Sequence, residues 1–179
     1  DGAIQRLNHD RLVEWQNTTA YFNGNAVRID LLAGPGSSSR VQLDGVWTQV
    51  EPDLSTTICF DDERSESSDP RLARLMPILC TGFLINDPGR NFLTAGHCSE
   101  NTSLLNVAQF NVPPSDVVGN PQHPDPIHQY AIDTQSIQNS PVTEQGEDWT
   151  HFACFRNSES NLKPWPVSYT HLTLPTTYE

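Results

Sequence analysis

Leu79-Cys80-Thr81-Gly82-Phe83-Leu84-Ile85-Asn86-Asp87-Pro88-Gly89-Arg90-Asn91-Phe92-Leu93-Thr94-Ala95-Gly96-His97-Cys98 is the stretch on which the fold turns. Two apolar, β-rich runs flank an Asn-Asp-Pro-Gly corner, which predicts a hairpin: Pro presets the φ of the turn and Gly supplies the permissive corner. The second run leads directly into His97, so the imidazole is expected at the end of a strand, on a rigid support.

The rest of the chain supports an all-β reading. Only 18% of its 179 residues are charged, while 14 Pro and 10 Gly suit short strands joined by turns better than long helices. Upstream, Ala26 to Leu32 and Arg40 to Val50 show partial period-two alternation around the turn-rich stretch 33–39, which predicts a small β module over residues 1–55. Residues 59–70 are acidic and polar, as in a solvated connection. Further strands are expected within Leu104 to Val112, Val117-Val118, Tyr130 to Ile132 and Trp149 to Phe155. Between them, the prolines of Asn120-Pro121-Gln122-His123-Pro124-Asp125-Pro126-Ile127-His128 exclude a helix or a central strand.

Composition also excludes partners. A formal net charge of -12 repels nucleic acid and anionic membrane surfaces. No run approaches the roughly 20 apolar residues that cross a bilayer. The four cysteines, Cys59, Cys80, Cys98 and Cys154, form no zinc-type spacing, and disulfides in an oxidising, extracellular compartment fit them better. His123, His128 and Asp125 fit no helix face and read as a surface loop, so no metal or cofactor is expected. Trp15, Trp47, Trp149 and Trp165 read as packing residues.

Thr94-Ala95-Gly96-His97-Cys98 resembles the histidine box of chymotrypsin-like serine endopeptidases, and Cys80-Thr81-Gly82-Phe83-Leu84-Ile85 is similar to that family's preceding strand. The resemblance covers about residues 59–165 and implies the first barrel of a double β-barrel, with His97 as general base and Cys80 bonded to Cys98. That leaves Cys59 and Cys154 for a second disulfide. Asp148, in Asp148-Trp149-Thr150-His151-Phe152, resembles the family's carboxylate that orients the histidine; Asp133 is its rival, disfavoured because Thr134-Gln135-Ser136 after it reads as loop. The implied partner is a protein or peptide substrate.

Two features depart from the family. No Gly-Asp-Ser-Gly follows Asp148, and none of Ser158, Ser160 and Ser168 is flanked by glycine, so the nucleophile is expected outside this chain. Val167 to Glu179 resembles translated adapter sequence, which suggests a non-native tail over 167–179, and an N-terminus missing or processed before Asp1 is also expected. No Ile-Val-Gly-Gly start precedes Cys80; Asp61-Asp62-Glu63-Arg64 with Asp69-Pro70 is closer to bacterial glutamyl-endopeptidase-like enzymes. The remaining alternatives are a catalytically dead binding module on the same barrel and a β-rich adhesion protein.

Overall fold

In a computed structural model of the chain, which describes residues 2–48, 69–102, 105–117, 120–140 and 146–164, the stretch from Leu79 to Cys98 is a hairpin. Strand β2 (Cys80–Leu84) pairs antiparallel with β3 (Phe92–Thr94), Phe83 opposite Leu93 and Leu84 opposite Phe92. The corner differs in one respect: its left-handed residue is Arg90, at φ 58°, and not Gly89. Asp87 makes that possible, accepting from the Asn91 N–H at 2.8 Å and from the Asn91 side-chain amide. At Gly89 a Cβ would lie 2.6 Å from Asn91 Nδ2, so a larger residue there would have to displace the Asn91 amide that Asp87 holds.

Four more strands complete the sheet: β1 (Leu72–Pro77), β4 (Leu105–Gln109), β5 (Gln129–Asn139) and β6 (Thr150–Cys154). They close into an antiparallel barrel in the order β1-β2-β3-β6-β5-β4. Closure leaves no unpaired sheet edge. Two strand expectations need correcting. Thr134-Gln135-Ser136 is not loop but part of β5, whose register shifts between Asp133 and Gln138. There Ser136 Oγ donates to the Asp133 carbonyl at 2.6 Å and accepts from the Ala153 N–H at 2.8 Å, filling ladder positions that the bulge vacates. Val117 lies in a turn, and Val118 falls outside the described residues.

Alternation along the strands sorts side chains into two apolar layers. Leu75, Ala108, Tyr130, Ile132 and Cys154 point inward with Leu84, Phe92, Leu105, Phe110 and Phe152. Phe92 stacks on Phe152 at 5.2 Å between ring centroids, and Phe110 meets Tyr130 edge-on at 5.6 Å. Each such fully buried side chain contributes about 1.5–3 kcal/mol. The intervening Met76, Val107 and Ala131 point outward, yet they too are buried, beneath Trp15 and Ala20.

Residues 2–23 are that cover. A short helix, α1 (His9–Glu14), begins at Asn8, whose side chain accepts from the Arg11 N–H, and it delivers Trp15 to the barrel wall. The segment then runs on as an arm whose backbone is gripped by side-chain amides. Gln129 Oε1 accepts from the Tyr21 N–H at 2.9 Å while its Nε2 donates to the Tyr21 carbonyl at 2.8 Å. Asn23 makes the same reciprocal pair with the His123 backbone, both at 2.8 Å.

The expected β module over residues 1–55 is therefore corrected: no strand forms among the described residues 2–48. Val27, Ile29, Val41 and Leu43 do alternate, but every residue from 24 to 48 is exposed. With neither a neighbouring ladder nor an apolar layer beneath them, their alternation has nothing to stabilise it. Residues 59–68, which carry most of the expected acidic connection, and the tail 167–179 lie outside the described residues, as does Trp165. No helix among the described residues is long and apolar enough to cross a membrane.

Candidate active site

His97 sits in a 3-10 turn, Gly96–Ser99, that begins directly beyond the end of β3. The support is threefold. Cys98 is disulfide-bonded to Cys80 in β2, Thr94 Oγ1 donates to the Thr81 carbonyl at 2.8 Å, and Cys98 N–H donates to the Ala95 carbonyl at 3.1 Å. The Cys80–Cys98 disulfide expected from the resemblance is thus present. His97 lies beside the two sulfurs, but their mutual bond leaves neither as a thiolate for a metal.

Asp148 lies two residues before the start of β6, which pairs with β3 so that Thr94 faces Thr150. This pairing carries the carboxylate across the barrel mouth to the histidine, fifty-one residues away in sequence. Asp148 Oδ2 lies 2.8 Å from His97 Nδ1, and Oδ1 accepts from the His97 backbone N–H, also at 2.8 Å. Both oxygens are therefore held by one residue, which fixes the carboxylate plane relative to the ring. The His97 N–H bond holds the Asp148 carboxyl below the usual carboxylate range, helped by the imidazole and, more weakly, by the Gly96 N–H. An ionised carboxylate on Nδ1 selects the Nδ1–H tautomer and turns the Nε2 lone pair outward. The imidazole side chain is 60% exposed, and among the described residues no hydroxyl is bonded to Nε2.

The rival Asp133 is placed elsewhere. It stands opposite Ala153 in the β5–β6 ladder, where its carboxylate accepts from the Gln135 N–H at 3.1 Å. His123, expected in a surface loop, is buried beside Arg74, whose Nη2 lies 3.2 Å from His123 Nδ1. A fixed cation at that distance opposes any metal ion there. Cys154 is a buried thiol, pushed up by burial, with no disulfide partner among the described residues, and Cys59, with it the expected second disulfide, lies outside them. Trp15 packs as expected, but Trp47 and Trp149 are exposed.

Sequence reasoning missed the polar residues behind the dyad. Ser99, Thr150 and Asn139 meet beneath the 3-10 turn, and nothing in their sequence context sets them apart from ordinary surface serine, threonine and asparagine. Gly96 enters the sequence motif only as a small residue, and the space it occupies explains why it is one. A Cβ at position 96 would lie 2.9 Å from Asp148 Oδ1, 3.0 Å from the Trp149 nitrogen and 3.2 Å from the Ser140 carbonyl oxygen. Two of these three atoms are backbone and cannot swing aside. Gly96→Ala is expected to cost about 1–3 kcal/mol and to push Asp148 off the imidazole, which a urea melt together with the 15N spectrum of His97 would register.

No family model, no curated protein and no solved structure matches the chain, and the functional reading rests on the geometry of the His97–Asp148 site.

Proposed function

We propose that the chain carries the histidine and aspartate half of a secreted, chymotrypsin-like serine endopeptidase of a bacterial extracellular branch. The observation that carries this reading is the Asp148–His97 pair, 2.8 Å apart at the mouth of a six-stranded antiparallel barrel with an outward-facing Nε2. His97 Nε2 takes the proton of a serine hydroxyl as that oxygen attacks the scissile carbonyl, then returns it to the leaving amine. Asp148 keeps Nδ1 protonated and stabilises the imidazolium formed between the two transfers. The serine and the oxyanion donors belong to a second barrel outside residues 1–179, in keeping with the missing Gly-Asp-Ser-Gly. Peptides and proteins are the substrates.

The absent serine motif also suits a second reading, a catalytically dead barrel that only binds protein. One experiment separates the two. The source reading frame, followed beyond the natural sequence, is expected to encode a Gly-x-Ser-Gly, and its product to hydrolyse casein and be labelled by a fluorophosphonate at that serine. A longer product without a labelled serine would favour the binding module. Fluorophosphonate-sensitive hydrolysis by purified residues 1–179 would put the nucleophile inside this chain and overturn its assignment to a second barrel.

A further inference from the structure

Behind the dyad, three polar side chains from three elements converge, two of them buried and the third, Asn139, reaching in from an exposed position on β5. Ser99, 1% exposed, closes the 3-10 turn; Thr150, fully buried, is on β6; Asn139 is on β5 opposite Thr150. Ser99 Oγ donates to the Gly96 carbonyl at 3.0 Å, lies 2.6 Å from Thr150 Oγ1 and accepts from Asn139 Nδ2 at 3.2 Å. Its single proton goes to the carbonyl, so Thr150 is the donor in the second contact. The hydroxyl is saturated, and each of its bonds has one direction.

The Gly96 carbonyl that Ser99 holds belongs to the same peptide unit as the His97 N–H. Peptide planarity makes that C=O and that N–H point in opposite directions. One end of the plane is therefore bonded to Ser99 in the interior, and the other to Asp148 Oδ1 at the mouth. Fixing both ends removes rotation of the plane. The aligned series from Thr150 through Ser99 and the peptide to Asp148 also polarises each bond in turn.

We propose that Ser99, oriented by Thr150 and Asn139, is a positioning residue for the dyad: it locks the Gly96–His97 peptide so that the N–H holds Asp148 Oδ1 and leaves Oδ2 to the imidazole. The inference rests on the reading of His97 and Asp148 as the proton-transfer pair, and it adds the groups that set their geometry. Ser99 touches neither imidazole nor carboxylate and acts through one peptide group.

The test uses the whole chain labelled with 13C at aspartate carboxyls and 15N in histidine rings. Ser99→Ala is expected to raise the titration midpoint of Asp148 toward the ordinary carboxylate value and to shift neutral His97 from the Nδ1–H tautomer toward Nε2–H. Thr150→Val, which keeps the shape and removes one donor to Ser99, should move both signals the same way by less. Ser99→Thr restores the hydroxyl and should return both. Asn157→Ala is the control for general destabilisation, because its buried amide donates to the Pro126 and Gln129 carbonyls away from the dyad. Unchanged Asp148 and His97 signals in Ser99→Ala, or equal shifts in Asn157→Ala, overturn the proposal. Should Ser99→Ala fail to fold, unchanged signals in Thr150→Val overturn it alone. These readouts need no hydrolysis, so failure of the longer chain to cleave casein would sink the protease reading while leaving the peptide lock standing.

Discussion

Trp15→Ala is expected to destabilise the protein by about 3 kcal/mol, the low end of the range for truncating a buried aromatic, and to detach the arm formed by residues 2–23. Trp15 is 1% exposed and packs with Ala20, Met76, Val107 and Ala131, so its loss opens a void between the arm and the outer face of β1, β4 and β5. The low end applies because the indole Nε1–H is buried without a hydrogen-bond partner, a defect that disappears with the ring. Trp15→Phe keeps a ring and removes the same defect, and should cost well under half as much. Urea unfolding gives the magnitude, and amide exchange gives the place. In Trp15→Ala the Tyr21 N–H, bonded to Gln129 Oε1, should lose protection before the barrel amides do. A change below about 1 kcal/mol would mean that the polar contacts of the arm carry it without the indole.

The same outer layer explains what could and could not be read in the chain. The β2–β3 hairpin was legible because an apolar run, a turn signal and a second apolar run are all local. Strand β1, Leu72–Pro77, carries no such local signal, since Leu75 faces the barrel interior while Arg74 and Met76 face the arm and its polar network. Burial on both faces erases the alternation that marks a half-exposed strand. Conversely, residues 26–32 and 40–48 show alternation and form no strand, because the signal reports a capacity to cover one face and the described contacts include no face to cover. At the site, the adjacency of His97 and Cys98 to a strand was visible in the sequence. The preference for Asp148 over Asp133 rests in the sequence on a resemblance and on a loop reading of Thr134-Gln135-Ser136 that β5 contradicts, whereas in the structure it follows from register: Thr94 opposite Thr150 brings position 148 to the barrel mouth, and Ala153 opposite Asp133 takes position 133 away from it. Register depends on the bulge in β5, which no local rule marked.

Lowering the pH from about 6.5 to about 4 is expected to cost up to about 3 kcal/mol of stability through His123. Its ring lies within the clasp that holds the arm: Nδ1 is 3.2 Å from Arg74 Nη2 and 3.2 Å from Gln109 Nε2, and the ring packs on Tyr21 at 5.1 Å. Both neighbouring nitrogens are obligate donors, and the one acceptor near Nδ1, Gln109 Oε1 at 3.4 Å, already takes two closer bonds from Arg74, so an unprotonated Nδ1 that accepts fits the site best. Burial, with the nearby Arg74 charge, pushes the folded-state value down to about 4 from the ordinary 6.5. Between those values the unfolded chain binds a proton that the folded protein refuses, so stability rises with pH across the window and is lost as pH falls; below about 4 this contribution is flat. Asp148 and Asp69 work in a different range. Their carboxyls are held below the ordinary 3.8, so the stability they contribute is lost only at still lower pH. Urea midpoints at pH 7, 5.5 and 4 should therefore fall steadily in the natural protein and stay nearly level in His123→Gln, which has an amide that cannot titrate. Because His123 also holds Asn23 through its backbone, the acid-weakened element is the arm, and exchange of the Tyr21 amide should accelerate ahead of β2 and β3. A slope that persists unchanged in His123→Gln would assign the acid sensitivity to another group and leave the clasp without a titrating member.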